Sequence, residues 1–347
     1  YGEGEYAYAN NAEYFGLPAM FVGQEPSTSL ALSAMPEGAA YALYFSDRWK
    51  LSDRAMVEWG LRWDDQTYTD LPSDAQLSPR LSLLRALGDN TEFRLSWGRY
   101  HQSQEINELQ IEDGIDFFWP AQRADHVIAG IRHTLNNRLS TRVELFHKEI
   151  KDVRPRFENL FDPLSLIPEV QPDRVRLDPS SATSRGVEVS LDWSDGPLSW
   201  WATYVLSEAT DRIDGRDELR SWDQRHAFQG GIGWGNEKWD VSVAASVHSG
   251  WPLTELTLVE DGVDEDGEIE YVAVPGPRNA GRHATFASLD FRVSRTWKLQ
   301  RGSLMAFFEV SNLTNRRNPC CLDFDFEEDE DTGEDVFERG IDYWTPL

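Results

Sequence analysis

Apolar and polar residues alternate one for one in stretches of about ten, the period of a β-strand with two unlike faces. The pattern is clearest near the C-terminus, where Ala287, Leu289, Phe291, Val293 and Trp297 oppose Ser288, Asp290, Arg292 and Ser294. Trp239, Val241, Val243, Ala245 and Val247 likewise oppose Asp240, Ser242, Ala244, Ser246 and His248. Val187, Val189, Leu191 and Trp193 stand against Gly186, Glu188, Ser190 and Asp192, and Val57, Trp59, Leu61 and Trp63 against Glu58, Gly60, Arg62 and Asp64. The pattern predicts strands near 38–50, 55–65, 77–87, 91–101, 123–135, 138–150, 183–194, 198–209, 224–235, 238–248, 284–297 and 302–312, with a further one near 2–8.

The connections are of two kinds. Tight turns fall at Lys50-Leu-Ser-Asp-Arg54, Leu87-Gly-Asp-Asn-Thr91, Leu135-Asn-Asn-Arg138, Ser194-Asp-Gly-Pro-Leu198, Gly235-Asn-Glu-Lys238 and Lys298-Leu-Gln-Arg-Gly302. Long polar segments, expected to be irregular, run roughly over 65–77, 102–122, 151–182, 210–223, 249–283 and from 313 onward. Short turns at one end and long loops at the other are what an antiparallel up-and-down barrel in a bacterial outer membrane requires. The polar faces carry full charges, which a dry core rejects unless they are paired and a water-filled lumen accepts. Ten residues at roughly 3.3 Å each, tilted near 45°, span roughly 23–25 Å, the height of an outer-membrane apolar band.

Composition narrows the reading. The net charge of −27 argues against a nucleic-acid partner. No run approaches the 18 or more apolar residues of a membrane-spanning helix. A mean hydropathy of −0.53 is compatible with a barrel, because only alternate strand residues face lipid. The 14 Trp and 17 Phe suit either aromatic girdles at the membrane interfaces or β-sandwich cores. Tyr1-Gly-Glu-Gly-Glu is neither basic nor apolar and does not read as a signal peptide, so a mature chain or a fragment is expected. The adjacent Cys320 and Cys321 cannot staple distant parts of a fold; they form a vicinal disulfide or remain two thiols.

Several segments resemble the C-terminal barrel of TonB-dependent outer-membrane receptors. Phe308-Glu-Val-Ser-Asn-Leu-Thr-Asn-Arg-Arg-Asn-Pro319 is similar to that family's penultimate strand and its exit. Leu77-Ser-Pro-Arg-Leu-Ser-Leu-Leu84 followed by Phe93-Arg-Leu-Ser-Trp-Gly-Arg-Tyr100 resembles a mid-barrel hairpin. Thr183-Ser-Arg-Gly-Val-Glu-Val-Ser-Leu191, with Tyr204, Ser207 and Trp222-Asp-Gln-Arg-His226 beyond it, resembles a later one. The resemblance implies an all-β chain, an antiparallel transmembrane β-barrel of about 12–13 strands out of 22. It would be one incomplete domain over 1–347, with the family's N-terminal plug absent and its final strand cut near Tyr343-Trp-Thr-Pro-Leu347.

The candidate chemistry lies past the strand tops. Tyr100, His101 and Gln104, then Trp119 beside Phe117 and Phe118, then Trp222, Arg225 and His226, then Trp251 are the expected substrate-binding residues. Aromatic rings there can stack on a sugar or a planar chelator, or serve as girdle and loop packing. Arg outnumbers Lys by 28 to 5 among the 33 basic residues. Arg62, Arg80, Arg142 and Arg292 on polar faces either guide anionic ligands or pair with Glu58, Glu144, Glu188 and Asp290 to stiffen the wall. The acidic stretches from Glu260 to Glu270 and from Asp323 to Glu338 read as cation capture or as solvated loop surface, without EF-hand spacing. His126 and His133 are expected on opposite faces, and no metal site or cofactor is expected. No enzyme signature is present; Gly230-Gly-Ile-Gly-Trp-Gly235 reads as close packing within a strand rather than a phosphate cradle.

The resemblance implies an outer-membrane transporter for a siderophore–iron complex, cobalamin, an oligosaccharide or a peptide. It would be energised by the TonB complex through the plug and surrounded by outer-membrane lipid and lipopolysaccharide. A passive porin or ligand-gated channel and a secreted glycan-binding β protein are the alternatives.

Overall fold

The computed structural model describes residues 2–10, 30–69, 75–162, 164–171, 173–263, 269–328 and 335–344. Twelve long strands carry the fold: β1 (Ala40–Ser52), β2 (Ala55–Gln66), β3 (Gln76–Ala86), β4 (Thr91–Gln102), β5 (Gln122–Asn136), β6 (Leu139–Lys151), β7 (Ser181–Asp195), β8 (Leu198–Ile213), β9 (His226–Gly235), β10 (Trp239–His248), β11 (Phe286–Leu299) and β12 (Gly302–Val310). Each pairs antiparallel with its neighbour in sequence. A short piece, Arg216–Leu219, folds back on the end of β8 and completes a 13-stranded sheet. Among the described residues this sheet is an open path from β1 to β12.

The alternation in the sequence fixes the register. Trp49, Val57, Leu83, Leu95, Ala129, Leu145, Val187 and Leu206 stand opposite one another across eight strands. A row on the other face runs Glu92, Arg132, Arg142, Ser190, Thr203, Gln229, Ser246 and Ser288. Slipping any strand by one residue would exchange these two sets, so burial of one face in lipid specifies every pairing.

Among the described residues no second layer covers the apolar face. Leu43, Leu61, Leu95, Ile131, Leu145, Ile232 and Phe308 are all exposed, Leu145 by 59%. So continuous an apolar surface far exceeds the few hundred Å² that a water-soluble monomer exposes. At the tight-turn end, Trp193, Trp200, Trp234, Trp239 and Trp297 lie on this face beside the turns, as an interfacial aromatic girdle does. Trp193 and Trp200 stack with centroids 6.3 Å apart, and the Arg295 guanidinium lies 4.9 Å from both the Trp239 and the Trp297 ring. Glycine serves close packing on the polar face: a Cβ at Gly231 would meet Trp201 Nε1 at 2.8 Å, and one at Gly186 would meet the Phe146 ring at 2.7 Å.

The buried hydrophobic residues are elsewhere. Ala182 apart, those of the described residues lie in the long connections, among them Tyr68, Leu109, Ile111, Phe118, Phe161, Leu177, Leu253 and Leu322. The loops therefore fold into a packed cap with a core of its own.

This cap departs from the sequence reading in two ways. The long segments are not simply irregular. They contain the hairpins Arg156–Asn159 with Arg174–Leu177, Leu256–Val263 with Ile269–Pro275, and Asn318–Glu328 with Asp335–Trp344, besides the short pair Pro252–Leu253 with Gly281–Arg282. Both acidic stretches fall on such hairpins, with 264–268 and 329–334 outside the described residues. The strand expected near 2–8 exists as Tyr6–Asn10, but it pairs with Leu30–Ala34 and not with the large sheet. Its Tyr6 and Tyr8 pack on the Leu109–Ile111 core of the cap, so its apolar residues are satisfied by protein instead of lipid.

Candidate functional site

Ion pairs between loops hold the cap together. Asp211 at the end of β8 is wholly buried and accepts hydrogen bonds from Arg156 Nη2 and, at 2.9 Å, from Arg220 Nε. Glu158 accepts from Arg156 Nε (2.6 Å), Ser221 Oγ (2.6 Å) and Arg278 Nη2 (2.7 Å). Burial pushes the Glu158 carboxyl up, but Arg156 and Arg278 outweigh it and hold the group below its ordinary value. Asn279 donates to Leu219 O (2.7 Å) and Ser221 Oγ (3.2 Å), and Arg282 to Asp223 and to Gly250 O. Arg174 makes a bidentate pair with Asp113, both bonds 2.6 Å, joining the 103–121 loop to the 152–180 loop. Tyr68 Oη donates to Gln104 O (2.9 Å), and Leu322 N to Phe161 O (3.0 Å).

Between these struts lies a cavity of about 480 Å³. Gln104 just past β4, Gln122 opening β5, Arg154 and Arg156 just past β6, and Arg220 after the short strand all line it. Three guanidinium groups thus face a space with one lining carboxylate, Glu108. Arg156 and Arg220 are anchored by Asp211, whereas among the described residues Arg154 has only Glu108 as an ion-pair partner, at 3.8 Å. Burial pushes the Arg154 pKa down despite that carboxylate.

The sequence-derived residues do not converge on one place. Tyr100 lies under the Arg80 guanidinium, 4.6 Å from ring centroid to Cζ, and His101 Nδ1 is 3.0 Å from Ser78 Oγ. Gln104 lines the cavity, but its amide is already engaged: Nε2 donates to Glu108 O (3.0 Å) and Oε1 accepts from Trp119 N (2.7 Å). Trp119 meets Phe117 edge-on at 4.8 Å and lies 5.8 Å below the Arg176 guanidinium. Trp222 and Trp251 are brought together edge-on at 4.8 Å, with His248 stacked between Trp251 and Phe286. Arg225 pairs with Glu208 at 2.9 Å, and His226 Nδ1 is 2.7 Å from Tyr204 Oη. Five strand spacings separate β4 from β9, about 24 Å along the sheet, so the Tyr100 and Trp222 groups are distinct patches on one rim.

Three of the four wall arginines are paired, though not always with the acids expected, and Arg80 lies over the Tyr100 ring instead. Arg142 bonds Glu188 (3.0 Å) and lies 3.6 Å from Glu144, but Arg62 bonds Asp64, Arg292 bonds Glu309, and Glu58 is taken by Arg48. Asp290 instead accepts from Ser288 Oγ and Asn312 N. The arginines of the cavity and the loop struts were not singled out from the sequence. Their only signal was the excess of Arg over Lys and the close spacing of Arg154 and Arg156.

Comparison with known proteins agrees with this geometry. Residues 1–313 match the family model described as TonB dependent receptor-like, beta-barrel. Among solved structures, the FrpB iron transporter from Neisseria meningitidis superposes with a TM-score of 0.53 at 14% identity, over 82% of this chain and 41% of that one. The siderophore receptor PirA from Acinetobacter baumannii gives 0.55 at 14% identity over 82% and 42%. The ferripyoverdine receptor of Pseudomonas aeruginosa gives 0.54 at 14% over 83% and 36%. No curated protein sequence matches the chain. The chain thus spans less than half the length of the receptors it superposes on. By the family match and its sheet of alternating faces, it belongs to the TonB-dependent receptors, outer-membrane β-barrels of Gram-negative bacteria.

Proposed function

We propose that this chain forms barrel wall and extracellular cap of a receptor that takes up a scarce nutrient, energised by the TonB complex through a plug carried elsewhere in the whole protein. Lipid and lipopolysaccharide surround its apolar face, and nucleic acid is not a partner. The carrying observation is the packed loop cap over a charged sheet face, with a basic cavity and exposed aromatic rings at its rim. Such a cap offers selective contact to a solute, whereas a general porin needs only a wide aqueous opening. The similar structures named above are an iron transporter and siderophore receptors, which puts iron chelates first among candidate substrates, ahead of cobalamin, oligosaccharides and peptides.

The test is nutrient-limited growth of strains lacking either the receptor or TonB. Both deletions should abolish growth on the same nutrient, and purified receptor should not conduct steadily in planar bilayers. Uptake that survives loss of TonB, together with steady conductance, would establish the passive-channel reading in its place.

A further inference from the structure

We infer that Arg154, Arg156 and Arg220 form a receiving site for an oxyanion group, a carboxylate or phosphate, within the loop cavity. The inference rests on the receptor reading above and names the chemistry of its ligand. The three guanidinium groups come from two loops and line one space of about 480 Å³, large enough for a small polyanion and its hydration. Asp211 is divided between Arg156 and Arg220, and Glu158, which also anchors Arg156, shares its charge with Ser221 and Arg278. Arg156 Nη1 is buried with no hydrogen-bond partner among the described residues, a donor left over once Nε and Nη2 have bonded Glu158 and Asp211. A buried donor without an acceptor is costly, which favours a turn of this guanidinium toward an oxygen in the cavity, since Nη1 as it stands has no surface open to one. Arg154 is mostly buried, and its Glu108 partner lies beyond hydrogen-bond length. Planar guanidinium forks fit carboxylate and phosphate oxygens bidentately, and Gln122 adds an amide at the edge.

Carboxylate and phosphate can arrive on a soluble nutrient or on the phosphates of lipopolysaccharide, and the test separates these sources. Full-length receptor freed of lipopolysaccharide is titrated calorimetrically with citrate, pyrophosphate, lipopolysaccharide and, as neutral control, maltotriose. At least one anion should bind, the sugar should not, and Arg154→Gln should weaken the anion about tenfold or more. Glu108→Gln, which removes the competing carboxylate, should tighten it several-fold. Both variants should keep the wild-type heat-modifiable gel mobility, showing an intact barrel. Which anions respond to Arg154→Gln identifies the source. Equal binding of the sugar, no anion binding, or anion binding indifferent to Arg154→Gln overturns the site. The receptor reading fails separately: Arg154-dependent binding without TonB-dependent uptake removes only the transport role. TonB-dependent uptake unaffected by Arg154→Gln, with no anion bound, removes only the site.

Discussion

Asp211 has no exposure to solvent and holds two guanidinium groups, so it is the residue on which the cap's ionic core turns. Replacing it by Ala leaves Arg156 and Arg220 short of a counter-charge, at about 3–5 kcal/mol for a broken buried pair. Asp211→Ala should therefore speed proteolysis at 214–223 and lower the urea midpoint of the cap, while the strands keep their β-circular dichroism. Glu158 gives the pH dependence. Its folded carboxyl is held below the ordinary 4.5, so its contribution is fully present above that pH and is lost as pH falls through the depressed folded value. Hydrogen-exchange protection factors at 216–221 and 276–282, which remove the intrinsic pH dependence of amide exchange, should be flat from neutrality to about pH 5 and fall only in more acid solution. Residue-scale partnerships of this kind were illegible in the sequence. Arg278 and Glu158 lie 120 positions apart, and nothing in either neighbourhood points to the other. Tyr100 and Trp222 could be picked out as candidates because an aromatic residue near the end of an alternating stretch stands out without knowledge of its neighbours, although Tyr100 lies inside β4 and not past it.

At the scale of elements, the twelve long strands were readable almost to their ends, because lipid on one side and water on the other impose a strict period of two. The hairpins of the cap lack that contrast. The stretch Glu260-Asp-Gly-Val-Asp-Glu-Asp-Gly-Glu268 has no alternation to read. The hairpin from Asn318 to Trp344 docks through Leu322, 4% exposed, whose N–H donates to Phe161 O. Leu322→Asp should free this hairpin, seen as rapid cleavage within 318–344 in the absence of any change in barrel heat-modifiability. A hairpin cut no faster than wild type would mean that its attachment lies elsewhere.

Across the whole molecule, the opposed faces of the sheet make a prediction that a soluble fold would fail. Leu145 lies mid-strand on the apolar face, next in sequence to Glu144 on the polar one. Leu145→Arg should cost roughly 2–4 kcal/mol of folding free energy in lipid vesicles, the midplane cost of a lipid-facing arginine. Glu144→Gln should cost far less, since its face is wet. Equal effects of the two substitutions would contradict the assignment of lipid and water. The sequence could not show the cap as a second core, because its hydrophobic residues (Tyr68, Leu109, Phe161, Leu322) are scattered singly through polar loops and meet only in space.

The cross-tying of the loops bears on how the cell surface presents this protein to an immune system or a phage. Glu218, Arg220 and Ser221 turn toward other segments, whereas Asp214, Gly215, Arg216 and Asp217 stay exposed, so the 214–223 loop shows outsiders a short linear tip on a composite base. Antibodies raised against a synthetic peptide of the 214–217 tip should stain intact cells, whereas antibodies raised against a 218–223 peptide should bind only the denatured band on a blot.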